Sequence, residues 1–600
     1  MKKLLLTLVA ASLLLTGCAR TTAYEVATYQ GKLAEGETKS DFNPELFYRN
    51  EKQTNSCDPF VLDNTERDGY YYVYGTEGSC FCYRSTDMMN WERVGNALDN
   101  LYFEKVGVAS EIRKATWDSI YAPEVVYDEE TDLYYMFFSA APQADENLTD
   151  EENARTWFVM YVATSKYPYK DFKLVDYTDA ASCGAENVRS YDKNAYPQYY
   201  AKYSLFDPAS LAEFCKADKI YGYDAFIPSI DPHPFVDENG DKYLFWADME
   251  GVNRMCGIKM KNWLTPDWST ATFVVWANYY DQEHYEESKT NPSVAIVPYE
   301  QTSNNCNEGP AVLEHNGKYY LSYSSGSYAD SSYQVNQAVA DSPLGPYRKL
   351  TEEEGGVLLS GSVAGSMEVS GTGHHSFVTV GEQLYMVYHR HDDAAKAGAA
   401  RHHCIDEVKW ITVKDIDGKD LEVMYINGPT NSVQPKIEAY SDYVNIADEA
   451  VVSGTEDVSY LTDGLLSTFK YGNTAFMEHI KETTITKTTT FTFDFETARA
   501  VRAIMVYNSK LENTSFLKVS DVQLVCEENG EEVVRYIDGM EFSSEFYKQN
   551  EIDHSIYYIV PGAAAYAEFD ELNVKSVKIT VEVPKNQEAV GISEVRILGK

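Results

Sequence analysis

The sequence feature that most constrains the fold is a unit that recurs five times within the first 430 residues. Each unit contains a short aromatic segment that starts at a turn residue or a charged residue, which is typical of a strand leaving a hairpin. These segments start at Gly69, Asp132, Asp241, Gly317 and Gly381. β-Hairpins that recur along a chain in this way indicate propeller blades, so five units predict a five-bladed β-propeller. A β-sandwich with incidental Tyr-Tyr pairs is the alternative that the pattern leaves open.

A second motif precedes each aromatic segment and pairs a polar residue with the start of an apolar strand. The five motifs occupy residues 58–61, 122–126, 231–235, 308–312 and 373–377. The first strand of a propeller blade lines the central channel, so polar residues at equivalent blade positions should share one axial pocket. We therefore expect four carboxylates to converge there from equivalent positions, namely Asp58, Glu124, Asp231 and Glu308.

A pocket with facing carboxyl groups suits the hydrolysis of a glycosidic bond. Inverting hydrolysis uses one carboxylate to activate water and one carboxylic acid to protonate the leaving oxygen, at a separation of about 6.5–9.5 Å. Crowded carboxylates raise one another's pKa, which keeps an acid protonated near neutral pH. The repeat thus predicts a glycoside hydrolase.

The order and the offsets of these motifs over residues 43–430 resemble glycoside hydrolase family 43. The residues that carry the resemblance are Asp58-Pro59-Phe60, Ala122-Pro123-Glu124, Ile230-Asp231-Pro232, Asn307-Glu308-Gly309-Pro310 and Gly371-Thr372-Gly373-His374-His375-Ser376. The resemblance implies a five-bladed propeller and single displacement with inversion. It also implies Asp58 as general base, Glu308 as general acid, and Asp231 as the residue that orients the acid and tunes its pKa.

The resemblance extends to further site residues. Tyr121 stands where the family usually has Trp. The residues expected to contact substrate are Tyr121, Glu124, His233, His375 and Arg401, although Glu124 is equally well explained as a structural hydrogen-bond acceptor. His375 resembles a histidine at the channel centre that, in some members, helps to hold calcium through water, although a core histidine would look the same. The chemistry requires no cofactor, so calcium would be structural.

The repeat ends near Trp410, and residues 431–440 read as a linker to a second domain at 441–600. Alternating segments such as 490–495 predict an all-β unit. Its motifs resemble the discoidin-like, or coagulation factor type C, β-sandwich of the jelly-roll, galactose-binding-like class. Such modules often bind carbohydrate at loop tips, sometimes with calcium; a packing domain without a ligand is the alternative.

The first 17 residues carry Lys2, Lys3 and a short apolar run, which predicts an export signal. The segment Leu15-Thr16-Gly17-Cys18 resembles a bacterial lipoprotein box, which implies cleavage before Cys18 and acylation of that residue. Residues 18–42 are then an N-terminal linker. The expected location is the cell envelope, with a lipid anchor in the outer membrane on either its periplasmic or its surface face.

Charge and cysteine content narrow the partners and the covalent chemistry. With 51 basic and 93 acidic residues, the net charge of −42 argues against nucleic-acid binding. The chain has ten cysteines, and the spacing excludes a C-x-x-C zinc pattern. Cys57 and Cys306 flank the base and acid motifs. They could form a disulfide with each other, or both could be buried thiols.

The expected substrate is a side chain or a chain end of plant polysaccharide. An α-L-arabinofuranosidase is the first hypothesis, and a β-D-xylosidase or an exo-galactanase of the same family is the alternative. A non-catalytic glycan-binding lipoprotein is the alternative from another class; it predicts the loss of a catalytic carboxylate, whereas all three are present. A retaining fructan hydrolase on a similar propeller would differ in the anomeric configuration of its product.

Overall fold

The computed structural model describes residues 23–29, 42–50, 53–76, 80–98, 120–140, 159–190, 202–215, 229–249, 253–278, 286–300, 306–361, 369–392, 400–455, 457–466, 475–549, 552 and 556–600. The expected export signal and Cys18 lie outside these residues. Three short strands precede the first large sheet: β1 (Ala23–Glu25), β2 (Thr28–Tyr29) and β3 (Phe47–Tyr48).

Five antiparallel sheets follow, each built from strands that are consecutive in the chain. Blade I comprises β4–β7 at Phe60–Asn64, Tyr70–Gly75, Phe81–Ser85 and Glu92–Asn96. Blade II comprises β8–β11 at Ile120–Asp128, Leu133–Ala140, Val159–Ser165 and Lys173–Leu174. Blade III comprises β12–β16 at Ser229–Val236, Lys242–Asp248, Arg254–Asn262, Thr265–Pro266 and Thr272–Trp276. Blade IV comprises β17–β21 at Asn307–His315, Lys318–Ser325, Gln334–Ala340, Arg348–Lys349 and Val357–Leu359. Blade V comprises β22–β25 at Gly373–Val380, Gln383–His391, Arg401–Lys414 and Asp420–Ile426.

Apolar clusters fill the gaps between neighbouring blades, including the gap between the last blade and the first. Side chains alternate along a strand, so each aromatic middle strand faces both of its neighbours. In blade I, Tyr72 and Tyr74 pack against blade II, whereas Tyr71 and Val73 pack against Val387 of blade V. This packing closes the ring and confirms the predicted five-bladed propeller. It also explains why the repeat is so rich in tyrosine.

The C-terminal domain is a sheet-rich unit that contains β27–β36 and follows the junction strand β26 (Gln434–Pro435). Its strands are Val444–Asn445, Val451–Ser453, Thr483–Ile485, Thr489–Asn508, Val519–Glu528, Glu531–Ile537, Tyr547–Gln549, Ile556–Ile559, Ala564–Val581 and Val590–Gly599. Two long strands, β30 and β35, pair along their lengths with register shifts in the middle. Apolar side chains from both halves, such as Phe493 and Ile504, enter one core, as in a β-sandwich.

The two domains share an apolar interface. On β30, Ile504 and Val506 point into the domain core, whereas Ala503, Met505 and Tyr507 alternate with them and pack with a cluster from the propeller side. That cluster includes Leu46, Phe47 and Val433. The predicted linker at 431–440 belongs to this junction, because β26 pairs with β3.

The N-terminal segment differs from the expected linker at 18–42. Strand β1 pairs in parallel with β32, and β2 pairs antiparallel with β35, so residues 23–29 extend the sheet of the C-terminal domain. Sequence patterns could not indicate this pairing, because the partners are more than 500 residues apart and the strands have only three and two residues.

Helices are few and short in the described residues. The α-helices that lie wholly within these residues are α1 (Thr65–Asp68), α2 (Ala180–Cys183) and α3 (Pro208–Cys215). The 3₁₀ helices are Ala185–Asn187, Trp268–Thr270, Pro292–Val294, Glu438–Tyr440, Ala447–Glu449, Val458–Leu461, Phe476–Glu478, Glu512–Thr514 and Ser544–Phe546. None of the helices in this part of the chain has the length and apolarity needed to cross a bilayer.

Candidate active site

Every blade has a residue with positive φ at the corresponding point, within the inner strand in blades II to V and just before β4 in blade I. These residues are Asp58 (47°), Ala122 (44°), Asp231 (58°), Gly309 (58°) and His374 (39°). The pairing register of blades II to V shifts at this point, which marks a β-bulge. Left-handed backbone costs a non-glycine residue about 1–2 kcal/mol and is concentrated at functional sites.

The bulges show that the four carboxylates do not all occupy equivalent blade positions, contrary to the expectation from the repeat. Asp58 and Asp231 share the bulge position, but Glu308 precedes it by one residue and Glu124 follows it by two. Equivalent positions in the other blades hold Ala122, Gly309 and His374. The reason is that the extra residue of a bulge shifts the alternation of side chains along its strand.

The backbone N–H of each bulge residue donates a hydrogen bond to a side chain of the preceding blade. The bonds run from Asp58 to His389 Nδ1 (3.1 Å), Ala122 to Thr76 Oγ1 (3.0 Å), Asp231 to Ser139 Oγ (3.4 Å), Gly309 to Asp231 Oδ2 (2.9 Å) and His374 to Ser324 Oγ (2.8 Å). Together they form a closed ring around the propeller axis.

Blade III departs from the rest of this ring. In blades II and IV the acceptor is a serine on the second strand, Ser139 or Ser324. Each serine pairs with the residue that immediately precedes the bulge. The corresponding residue of blade III is Ala247, which pairs with Ile230 and has no hydroxyl. The N–H of Gly309 therefore binds the carboxylate of Asp231 and fixes that carboxylate beside the Glu308 segment.

Asp58 is buried among cationic and polar groups. Its Oδ1 lies 2.9 Å from Arg401 Nη1, 3.2 Å from His389 Nδ1 and 3.7 Å from His374 Nδ1. The hydroxyl of Thr76 donates to Oδ2. Burial by itself would raise the pKa of Asp58, but Arg401, His374 and His389 outweigh burial and hold this pKa well below its ordinary value. Asp58 is therefore an ionised acceptor for a proton.

Asp231 has the opposite character. Burial and the nearby charges of Glu308 and Asp58 together raise its pKa to about 7, against the opposing influence of His374. Two carboxyl groups of one site thus have widely separated pKa values, which is how one site supplies both an acid and a base at neutral pH.

Glu308 is held at both of its carboxyl oxygens. The Tyr333 hydroxyl donates to Oε1 at 2.7 Å, and the Cys306 thiol donates to Oε2 at 3.3 Å. The Tyr333 ring also stacks on His389, with centroids 5.6 Å apart and an interplanar angle of 10°. Since His389 contacts Asp58, one aromatic pair connects the surroundings of the two carboxylates.

His374 rather than His375 lies among the carboxylates. His374 Nδ1 is 3.7 Å from Asp58 Oδ1 and 3.9 Å from Asp231 Oδ2. Burial would lower the pKa of His374, but the carboxylates led by Asp58 outweigh burial and raise it, which favours the imidazolium. His374 was missed because its bulge cannot be seen in the sequence; the adjacent histidines of the motif were the only signal.

His375 points away from this cluster. Its Nε2 and the Ser322 hydroxyl are 2.6 Å apart, and Nδ1 is buried without a hydrogen-bond partner among the described residues. Burial and the neighbouring His374 hold its pKa well below the ordinary value, so the ring is neutral.

Glu124 and His233 form a pair that braces three blades. Glu124 Oε2 lies 2.8 Å from His233 Nδ1, and His233 Nε2 accepts the N–H of Val312 at 3.0 Å. This pairing engages both nitrogens of His233 and one oxygen of Glu124, and both residues are buried. Arg401 lies directly on Asp58, and Tyr121 lies at the inner end of β8, immediately before the blade II bulge.

The described residues around His375 offer no direct ligand set for the expected calcium. Within the described residues, no three His, Cys, Asp or Glu side chains converge as metal ligands. Calcium prefers oxygen ligands, so these residues do not supply a direct ligand set. The unpartnered Nδ1 of His375 fits contact with an ion only through water.

The disulfide alternative for Cys57 and Cys306 is excluded. Cys57 and Cys306 form no disulfide, and among the nine described cysteines Cys306 is partly exposed whereas the other eight are buried. The tenth, Cys18, lies outside the described residues.

The propeller axis thus gathers three carboxyl groups. Asp58 is ionised, Asp231 has a raised pKa, and Glu308 is held by Tyr333. Residues 211–412 match the model of glycosyl hydrolases family 43. This segment contains Asp231, Glu308, His374 and Arg401 and begins after Asp58. This match covers about a third of the 600 residues, so over that segment the chain is similar to glycosyl hydrolases family 43.

One curated protein and two solved structures illustrate what parts of this chain are similar to. A β-D-galactofuranosidase, xynD, of Aspergillus niger is 34% identical over 125 residues, which are 19% of this chain and 35% of the relative. The chain thus spans about a third of this curated relative. A thermostable family-43 glycoside hydrolase structure is 25% identical, with a TM-score of 0.45 over 65% of this chain and 98% of the other. An endo-1,4-β-xylanase structure from Bacteroides thetaiotaomicron is 23% identical, with a TM-score of 0.40 over 64% and 98%.

Proposed function

We propose that the protein is an inverting glycoside hydrolase in which Asp58 is the general base, Glu308 is the general acid and Asp231 orients the acid. The observation that carries this proposal is the contrast between two buried carboxyl groups of one pocket. Arg401 and two histidines keep Asp58 ionised, whereas Asp231 retains a proton up to a pH of about 7.

The proposed reaction is one displacement with balanced proton transfer. Asp58 accepts a proton from water as the water oxygen attacks the anomeric carbon, and Glu308 gives a proton to the departing oxygen. Asp58 is then protonated and Glu308 is ionised, and exchange with solvent restores both. Asp231, fixed by the Gly309 N–H, keeps a carboxyl proton near Glu308 and limits the negative charge there.

The first substrate class we propose is the α-L-arabinofuranoside. A β-D-galactofuranoside is a second candidate, because the Aspergillus niger relative carries that activity in its name. The two sugars share the configuration of the furanose ring and differ in the substituent at C4. β-D-Xylosides and β-D-galactosides are the alternative substrates, and the screen described next includes them.

A screen of aryl glycosides of these four sugars tests the substrate, and NMR of the first-formed product tests the mechanism. Inversion supports the proposal, whereas retention would exclude it. Glu308→Gln should lower kcat on phenyl glycosides roughly 10²–10⁴-fold while sparing substrates with activated leaving groups. Asp58→Asn should lower activity on all of them. A wild-type protein that binds glycans but cleaves none of these substrates would favour the non-catalytic alternative.

We further propose that Cys18 is acylated and anchors the protein in the outer membrane. The lipoprotein box in the sequence supports this proposal. Radiolabelled palmitate should enter the wild-type protein but not Cys18→Ser, and the variant should leave the membrane fraction. Label that persists in the variant would contradict the proposal.

The C-terminal domain is proposed to be a discoidin-like carbohydrate-binding module, which its sandwich-like core supports. Calorimetric titration of a Glu308→Gln protein with arabinan and xylan tests binding without turnover.

A structural calcium ion held through water near His375 should make thermal stability sensitive to chelator. An unchanged melting temperature in chelator would exclude that role.

A further inference from the structure

Glu308 has two carboxyl oxygens in different environments, and this difference bears on how the proposed acid delivers its proton. The inference below rests on the proposed function of Glu308. It concerns Tyr333 and Cys306, which the sequence motifs do not single out for catalysis.

The Oε1 side of Glu308 faces the protein interior. Tyr333, which donates to Oε1 at 2.7 Å, is only 1% exposed. Burial, together with the nearby Glu308 carboxylate, raises the pKa of Tyr333 well above its ordinary value, so the hydroxyl keeps its proton and remains a donor. The ring is fixed by stacking on His389, and Gly373 makes room for it, because a Cβ at Gly373 would collide with the ring.

The Oε2 side faces a more open environment. Its partner is the thiol of Cys306, at 3.3 Å, and both Cys306 and Glu308 are partly exposed. Burial, followed by the charge of Glu308, raises the pKa of Cys306 well above its ordinary value, so the sulfur keeps its hydrogen. A thiol is a weak hydrogen-bond donor. An oxygen atom of a substrate can therefore displace it at little cost.

We infer that Tyr333 is a positioning residue that fixes Oε1 of Glu308, and that Oε2 is the oxygen that passes the proton to the leaving group. In the free enzyme Cys306 occupies the side of Oε2 that the leaving oxygen takes in the substrate complex. The geometry permits no such approach to Oε1, because the buried Tyr333 covers it. Cys306 therefore marks the part of the pocket that receives the leaving group.

Proton transfer along this route leaves the thiol and the phenol unchanged. The proton moves from Oε2 of Glu308 to the glycosidic oxygen as the bond from that oxygen to the anomeric carbon breaks. Tyr333 keeps its proton and its bond to Oε1 throughout. The role of Tyr333 is to hold the carboxyl plane, so its loss should matter most when the leaving group needs an acid.

The test measures kcat for 2,4-dinitrophenyl, 4-nitrophenyl and phenyl glycosides of the sugar that the wild-type enzyme cleaves best. Tyr333→Phe should lower kcat by roughly 10–100-fold on the phenyl glycoside, since a small misplacement of a catalytic group has effects of this size. On the dinitrophenyl glycoside it should stay within about 3-fold of wild type, because that leaving group needs little protonation. Tyr347→Phe is the matched control, since Tyr347 is also buried and its hydroxyl donates to the Pro343 carbonyl, outside the site.

Cys306 is tested with the same substrates. Because the thiol is displaced when substrate binds, Cys306→Ser and Cys306→Ala should raise KM for the phenyl glycoside less than Cys306→Leu does. Cys306→Leu should raise KM for the phenyl glycoside by roughly 10-fold or more, because its side chain fills the place of the leaving group. Cys256→Leu, in the buried core between blades II and III, is the control for a general loss of folding.

Three results would overturn the inference. Tyr333→Phe with equal losses on all three substrates would indicate a purely structural role, and Tyr333→Phe without any loss would remove the positioning role. Cys306→Leu with unchanged KM would place the leaving group elsewhere. A wild-type protein that cleaves none of the glycosides would instead refute the proposed function, and the inference with it.

Discussion

Replacing Arg401 with Met tests the electrostatic origin of the proposed base. Arg401 Nη1 lies 2.9 Å from Asp58 Oδ1, and Arg401 is the strongest of the groups that oppose the effect of burial on the pKa of Asp58. Methionine retains most of the apolar stem of arginine and removes the charge. His374 and His389 remain in place, so the carboxylate loses its main partner but keeps two others.

The size of the effect follows from the short distance. Two unit charges 2.9 Å apart interact by about 6 kcal/mol at an effective dielectric constant of about 20. This value is an upper bound, because the guanidinium charge is spread over three nitrogens and water enters the vacated space. An adjacent opposite charge typically moves a carboxyl pKa by about 1–3 units, or about 1.4–4 kcal/mol. We expect a rise of that size for Asp58.

The sign of the pH effect is determined by the role of the base. Asp58 accepts a proton only when it is ionised, so activity is lost as the pH falls through its pKa. That pKa lies well below the ordinary value in the wild type. In Arg401→Met the acidic limb of kcat/KM should therefore move to higher pH by about 1–3 units. Arg401→Lys keeps a charge and should show a smaller movement.

The assay is kcat/KM for an activated aryl glycoside over the range of about pH 2 to about pH 8, which reports ionisations of the free enzyme. Arg348→Met is the control, since Arg348 pairs with Glu354 at 2.8 Å and neither residue contacts Asp58. An acidic limb that coincides in Arg401→Met and wild type would refute the reasoning, because Arg401 would then not set the ionisation of the base.

Two further predictions concern the ring of inter-blade contacts. Ala247→Ser supplies the hydroxyl that blade III lacks, and this hydroxyl should compete for the Gly309 N–H and release Asp231. The variant should therefore lower kcat on a phenyl glycoside roughly 10-fold, at an unchanged unfolding midpoint. Wild-type kinetics in this variant would show that the missing hydroxyl is irrelevant. His233→Ala leaves Glu124 buried without its partner and should cost about 3 kcal/mol in urea unfolding, whereas an unchanged midpoint would show that the pair does not brace the propeller.

The sequence predicted the propeller because each blade repeats a local pattern. Turn residues, aromatic alternation and the preceding polar motif all lie within a few tens of residues, and strand pairing within a blade is equally local. The roles of Asp58 as base and Asp231 as helper were implied by the resemblance to family 43, whereas the repeat predicted only that their side chains share one axial pocket. The C-terminal sheet was also predictable in kind from its alternating segments.

Only the tertiary structure decided which side chains face the axis. A β-bulge adds one residue to a strand and shifts the alternation beyond it, so the sequence could not show that His374 rather than His375 lies among the carboxylates. The same shift leaves Glu308 one residue before the bulge and Glu124 in a pair with His233.

The partners of these residues come from other blades or from distant parts of the chain. Asp58 meets Arg401 across 343 residues, and β1 joins the C-terminal sheet across more than 500. Contacts of this kind depend on closure of the ring and on docking of the two domains. Local patterns therefore identified the proposed catalytic carboxylates, whereas ring closure determined their charges and the hydrogen bonds that orient them.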